Sequence, residues 1–316
     1  MKVSFFGRSK FNLLQYNKRD DPTLKFDEWQ IRNYRALSDK ELFSGLEILG
    51  VSLNEKQLFQ LVETVKSPEE IDFQLSKEKA EEAYLYIFEL WRRKCPDQKT
   101  ISIFCDSLDA LIDLYDQGEL IEDETLLIEL FDILDESVDE GLKPKTVYKK
   151  LTSYLAHDLS SFFYNYIYDQ IDKSNEMEAS EWLENIYEYV EGNLWFEFLR
   201  VRLLSGASSE DATAMMSRFL EKLKEKPDIE LSFELLYFLI ETGHKELFIN
   251  TYKHVLKEIK HEDHFMEMLE IIFAFYSLND LEREENLIRE LIQERKKIPL
   301  HQKIGPEDKE LLSQLI

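Results

Sequence analysis

The chain has 316 residues but only 9 Gly and 7 Pro. A β-sandwich or barrel turns every few residues and uses more of both, so this scarcity argues against an all-β fold. Cysteine is almost absent. Cys95 and Cys105 are the two present, without C-x-x-C spacing, and they read as reduced thiols of a cytoplasmic protein. No run approaches the roughly 18 apolar residues of a membrane span. The opening "MKVSFFGRSKFNLLQYNKRDD" lacks the continuous apolar segment of a secretory signal. Glycine loops that would let backbone approach a phosphate are missing: neither G-x-x-x-x-G-K nor G-x-G-x-x-G occurs, and neither does G-x-S-x-G or H-E-x-x-H. Positive charge is absent from Cys105 to Gly141, which holds fourteen Asp and Glu and no Lys or Arg.

What is present is apolar surface and negative charge. Apolar residues make up 44% of the chain, with 21 Phe, 15 Tyr and 4 Trp, enough for a sizeable core and unlike a disordered chain. The length suits two domains or one extended array. The net charge is −25, and residues 100–200 carry most of the excess, with 24 acids against 6 bases. Residues 1–35 run the other way, with 8 bases and 4 acids. A field of this sign repels nucleic acid and anionic membrane and attracts a basic protein or a cation. Solubility alone is the plain alternative reading of the charge.

The pattern is helical throughout, so the expected fold is all-α. A basic arm at 1–36 leads into a helical unit at 37–98, an acidic helical hairpin region at 99–157, a helical-repeat domain at 158–297 and a tail with one short helix at 298–316. The arm is expected to pack on the body or on a partner. Ser38 with Glu41 three residues on is a capping box. The first helix stops at Gly50, the next starts at an Asn54 cap and ends by Pro68, and "KEKAEEAYLYIFELWRRK" is a long helix closed by Pro96. The stretch from Ser38 to Phe73, with its Leu-Gly helix end and Ile71-Asp72-Phe73, resembles the linker between two EF-hands of the calmodulin type. The alternating Asp/Asn ladder of a calcium loop is missing, so the resemblance implies a helix pair without its metal.

In the acidic stretch, Asp106, Asp109, Asp113 and Asp116 fall within about 80° of one another on a helix, opposite Phe104, Leu108, Leu111, Ile112 and Tyr115. In the following helix Glu129, Asp132, Asp135, Glu136 and Asp139 oppose Leu126, Leu127, Leu130, Phe131, Leu134 and Val138. The expectation is a hairpin with a dry side and an acidic side that points to water. Helical enzymes of isoprenoid chemistry hold magnesium through Asp-rich faces, but such acids must face an apolar cavity, and these lie opposite the apolar side.

From residue 194 on, breaks near 206, 243 and 279 recur about every 36 residues, the period of a helix-turn-helix unit. The spacing resembles tetratricopeptide or HEAT-type repeats, an α-solenoid architecture. With residues 196–229 laid on the tetratricopeptide pattern, Phe219 and Pro227 occupy its Phe and Pro positions. Leu199, Leu203 and Met215 replace its Trp, Gly and Ala, so the resemblance carries architecture and no functional residue.

Three further groups hold residues of chemical interest. Glu241/His244 and Glu258/His261, with His264 nearby, have the Glu-x-x-His form of a di-iron bundle. Thr242-Gly243 interrupts the first pair, and "KHEDH" reads as a connection able to take up stray zinc. His157-Asp158 has the elements of a poised base, but Asp158 fits better as a helix N-cap. In "SSFFYNYIYDQ", Phe162, Phe163, Tyr166 and Ile167 share a core face, while Tyr164 and Tyr168 fall elsewhere, as interface tyrosines do.

These observations favour a non-enzymatic protein–protein interaction or chaperone-like scaffold without a cofactor, a catalytic residue or a metal. A basic or partly unfolded protein segment would bind the solenoid groove or the acidic face, through Asp106, Asp109, Asp113, Asp116, Asp132 and Asp135 with Tyr164 and Tyr168. The alternatives are a metal-dependent helical enzyme using the Asp-rich or Glu-x-x-His residues, and a structural subunit of a larger assembly.

Overall fold

A computed structural model of the chain describes residues 7–205 and 209–316, with backbone alone at 209–213. Among the described residues there are sixteen α-helices and no strand, as the composition predicts. Helix pairing is consistent with an array of helical hairpins. The chain divides into two units, Met1–Tyr166 with Glu184–Glu191, and Ile167–Leu183 with Gly192–Ile316, so the division runs through α8 (Leu159–Asp172) and α9 (Glu176–Tyr187).

The first unit contains α1 (Ser9–Asp20), α2 (Asp39–Leu49), α3 (Glu55–Thr64), α4 (Lys77–Lys94), α5 (Ile101–Asp116), α6 (Thr125–Asp139) and α7 (Pro144–Thr152). Local chemistry sets the helix ends. Ser38 and Glu41 form the expected reciprocal box, Asn54 and Gln57 form another, and Gly50 ends α2 at φ +92°, in the left-handed region that favours glycine. At the centre lies α4, whose Tyr84, Leu85, Phe88, Leu90 and Trp91 are buried with Leu42, Leu46 and Leu58. Buried Glu89 anchors Arg92 and Arg93, and Arg93 also donates to the carbonyls of Leu37 and Arg35, which fixes the chain ahead of α2.

The second unit contains three hairpins: α10 (Leu194–Ser205) with α11 (Ser209–Glu225), α12 (Ile229–Glu241) with α13 (Lys245–Glu258), and α14 (Glu262–Leu278) with α15 (Glu282–Arg295). Their ends fall within a few residues of the sequence expectation. The break expected near 206 lies outside the described residues. The second turns at Gly243, φ +73°. Phe248 and Phe275 stack at 4.5 Å between hairpins, among buried Leu235, Leu239, Phe265 and Leu269. The tail helix α16 (Pro306–Gln314) packs on α13 with Leu312 buried. Arg295 joins α15 to Glu262 of α14 and Asp308 of α16. No helix among the described residues is long and apolar enough to cross a membrane.

Candidate functional site

The acidic face of α5 does not point to water along its length. Asp106 is 2% exposed and Asp109 0% exposed, because α1 lies across them. On α1 and its preceding residue, Arg8, Asn12 and Arg19 fall within about 40° of one another. This stripe meets the acids in the same chain direction. Arg8 Nε is 3.4 Å from Asp106, Asn12 Nδ2 donates to Asp106 at 3.0 Å and to Asp109 at 3.2 Å, and Arg19 Nη1 donates to Asp113 at 2.7 Å. Arg35 completes the group, with Nη2 2.5 Å from Asp106. The basic arm is thus the occupant of this part of the acidic face. Asp106 and Asp109, expected to contact a partner, are instead internal. Periodicity shows which acids share a face but not what covers it, and the covering residues lie 71 positions away at Arg35 and 98 and 97 at Arg8 and Asn12.

The two buried acids titrate differently. Burial favours the neutral form of Asp106, but the guanidinium charges of Arg8 and Arg35 and the Asn12 amide outweigh it and hold the carboxyl below its ordinary value. Asp109 has no cation of its own. Burial pushes it up to about 7, against the N–H groups of His157 and Ala156 and the Asn12 amide, which favour its charged form. Its oxygens accept from Ala156 N–H at 2.8 and 3.0 Å and from His157 N–H at 3.1 Å, tying α5 to the loop before α8. The His157 ring packs against Tyr16, with centroids 4.6 Å apart and the planes tilted by 40°, and its Nδ1 lies 3.4 Å from Asp116. Burial lowers its pKa despite the nearby Asp116 and Asp113. Asp158 accepts from Ser160 N–H at 2.9 Å at the head of α8, in the capping role expected of it.

A groove of about 470 Å³ is lined by Arg8, Asn12, Tyr16, Arg35, Asp106 and Asp113. Its walls are already paired, cation against carboxylate. A metal ion would have to displace Arg8, Arg35, Asn12 and two backbone N–H groups to reach the oxygens of Asp106 and Asp109.

The outward side of α6 differs. Asp132, Asp135, Glu136 and Asp139 are exposed, while Leu127, Leu130, Phe131 and Leu134 are buried. Ile128, 56% exposed, falls in the same roughly 60° sector as Asp132, Asp135 and Asp139. Leu114 in the last turn of α5 and Leu120 in the α5–α6 connection are exposed. Asp116 is also exposed. Asp135 accepts a hydrogen bond from the Tyr189 hydroxyl.

The two tyrosines expected at an interface are half-buried. Tyr168 is engaged within its own unit, its hydroxyl accepting from Arg202 at 2.9 Å while the Arg202 guanidinium lies 4.1 Å from its ring centroid. Phe162, Phe163, Tyr166 and Ile167 are buried as expected.

The Glu-x-x-His pairs do not assemble. Glu241 ends α12 and His244 precedes α13 across the Gly243 turn. His261 instead joins Asp263 and His264, their ligand atoms within 4.8 Å of one another. Sequence reasoning singled out both histidines here but not Asp263.

No family model, curated protein or solved structure matches the chain.

Proposed function

We propose that the protein is a non-enzymatic interaction scaffold whose acidic α6 face holds a basic, amphipathic protein segment. The observation that carries this reading is the sector of Asp132, Asp135 and Asp139 with exposed Ile128 among them. Carboxylates around an aliphatic contact suit a helix with Lys or Arg beside an apolar stripe. The pairing of α1 with α5 supports it, because that contact matches an acidic stripe with a basic one inside the chain itself. The net charge of −25 would speed encounter with such a partner and exclude nucleic acid. A cytoplasmic setting is part of the same proposal.

Calorimetric titration with a synthetic Lys/Leu amphipathic peptide, and with a Glu/Leu counterpart, tests it. The Lys/Leu peptide should bind in low salt and weaken as salt rises. Binding should fall about tenfold or more when Asp132→Asn, Asp135→Asn and Asp139→Asn are combined, and Ile128→Ser should weaken it further. Equal binding by wild type and triple variant, or no binding in low salt, removes the α6 face as the site.

A further inference from the structure

His261, Asp263 and His264 stand where the chain turns from α13 into α14. We propose that they form a divalent-cation site, suited to zinc or another imidazole-preferring metal. Among the described residues these three place their ligand atoms within 4.8 Å of one another. A tetrahedral zinc site spaces its ligand atoms about 3.3 Å apart, so these atoms must draw together by up to about 1.5 Å to close on an ion.

The backbone beneath them is already fixed. Glu262 N–H donates to Gln302 O at 2.8 Å, Asp263 N–H to Leu300 O at 2.9 Å, and Ile304 N–H to Lys260 O at 3.1 Å. These bonds surround the bridge between His261 and Lys303. The His264 ring packs against Phe233, with centroids 5.9 Å apart at 64°. Its Nδ1 is buried with no hydrogen-bond partner, and its Nε2 lies 3.8 Å from the Glu230 carboxylate. A buried imidazole nitrogen with no partner carries a desolvation cost that a bound cation relieves.

The electrostatics decide which groups take part. The positive end of the α14 dipole opposes a cation here. Asp263 and the exposed Glu230 offset it. Glu262 cannot, because Arg295 holds both its oxygens at 2.7 and 2.5 Å. Two imidazoles and a carboxylate, with Glu230 at the edge, suit zinc, nickel or copper rather than the all-oxygen shells of magnesium or calcium. This site is independent of the α6 face, and nothing in the basic-partner reading depends on it.

The test uses the full chain, freed of metal with a chelator and titrated with Zn(II) by calorimetry and with Co(II) by visible absorption. One ion per chain, tetrahedral cobalt bands and a raised melting temperature are expected, since an ion bound only by the folded state stabilises it. Removing a group that merely orients a ligand costs roughly 10- to 100-fold in affinity. His261→Ala and His264→Ala should therefore each weaken binding by about 100-fold or more, while His244→Ala leaves it unchanged. If His264→Ala unfolds the metal-free protein, His261→Ala and Asp263→Asn carry the test. Binding that survives these substitutions, or that spreads over several weak sites, means an adventitious ion only and overturns the proposal.

Discussion

Asp109 accepts the backbone N–H of Ala156 with both carboxylate oxygens, at 2.8 and 3.0 Å, so one fully buried acid of α5 holds the loop that leads into α8. The same burial raises its pKa to about 7, from about 3.9 in an unfolded chain. An acid with a raised folded pKa binds more protons folded than unfolded. Its contribution to stability is full below about pH 4 and is lost as the pH rises through about 7. That rise corresponds to an upper bound of about 4 kcal/mol. Urea denaturation of wild type and Asp109→Asn from about pH 4 to about pH 7.5 should show wild type losing ground to the variant as the pH rises. His157 titrates nearby with the opposite sign, its depressed pKa lowering stability as the pH falls, so the difference between the two proteins is the quantity to read. A pH-independent difference would show that Asp109 ionises normally in the fold.

Asp106 makes the opposite prediction. Its carboxylate neutralises Arg8, whose side chain is 7% exposed. Asp106→Ala leaves that guanidinium buried without its counter-ion and should cost about 3–5 kcal/mol. Arg35, 37% exposed, can return to water and contributes less to that penalty. Replacing both charges, Arg8→Met with Asp106→Leu, should recover most of the loss, because a well-packed apolar pair is often as stable as a buried ion pair. Equal destabilisation by the single and double variants would mean that packing, not charge, sets the cost.

How legible each feature was depends on the distance over which it is determined. Ser38/Glu41 and Asn54 cap through neighbours three residues away, so their helix starts were readable. The hairpins followed from apolar periodicity and local breaks such as Gly243. The burial of Asp106 and Asp109 was not readable from α5, because a helix wheel separates charge from oil and is silent on what packs against the charge. The missing signal lay in the arm, where Arg8, Asn12 and Arg19 repeat on one face, the complement of Asp106, Asp109 and Asp113. For the same reason Glu-x-x-His spacing did not find the cluster of His261, Asp263 and His264. Spacing assumes a continuous helix, and the turns at Gly243 and Lys260 break it.

Gly45 is a very close contact between α2 and α4. A Cβ there would lie 2.3 Å from Cζ of Tyr86, whose hydroxyl accepts from Arg32 at 2.7 Å. Gly45→Ala should therefore force the ring or the helix aside and cost about 1–3 kcal/mol, despite the better helix propensity of alanine. Tyr86→Leu removes the clashing atoms, so Gly45→Ala should cost less in that background. A thermal-denaturation double-mutant cycle measures the coupling, and additive effects would place the strain elsewhere.

Tyr252 ties the tail helix to α13. Its hydroxyl donates to the carbonyl of Leu312 at 2.7 Å, and the two residues are 1% and 0% exposed. Tyr252→Phe preserves the ring packing against Phe248 and removes one of two hydrogen bonds to the Leu312 carbonyl, which keeps the Leu315 N–H at 3.2 Å, so the cost should be about 0.5–1.5 kcal/mol. The start of α16 is held by Arg295 through Asp308 and by Lys309 on the carbonyl of Lys257, and its end by the Tyr276 hydroxyl on the carbonyl of Leu315. With both ends still held, the loss should appear as local opening around Leu312 rather than global unfolding. Amide exchange at Leu311 and Leu312 should quicken by roughly 2- to 13-fold, with exchange in α13 unchanged. Equal acceleration in both helices would mean that α16 is part of the same cooperative unit as the hairpin on which it rests.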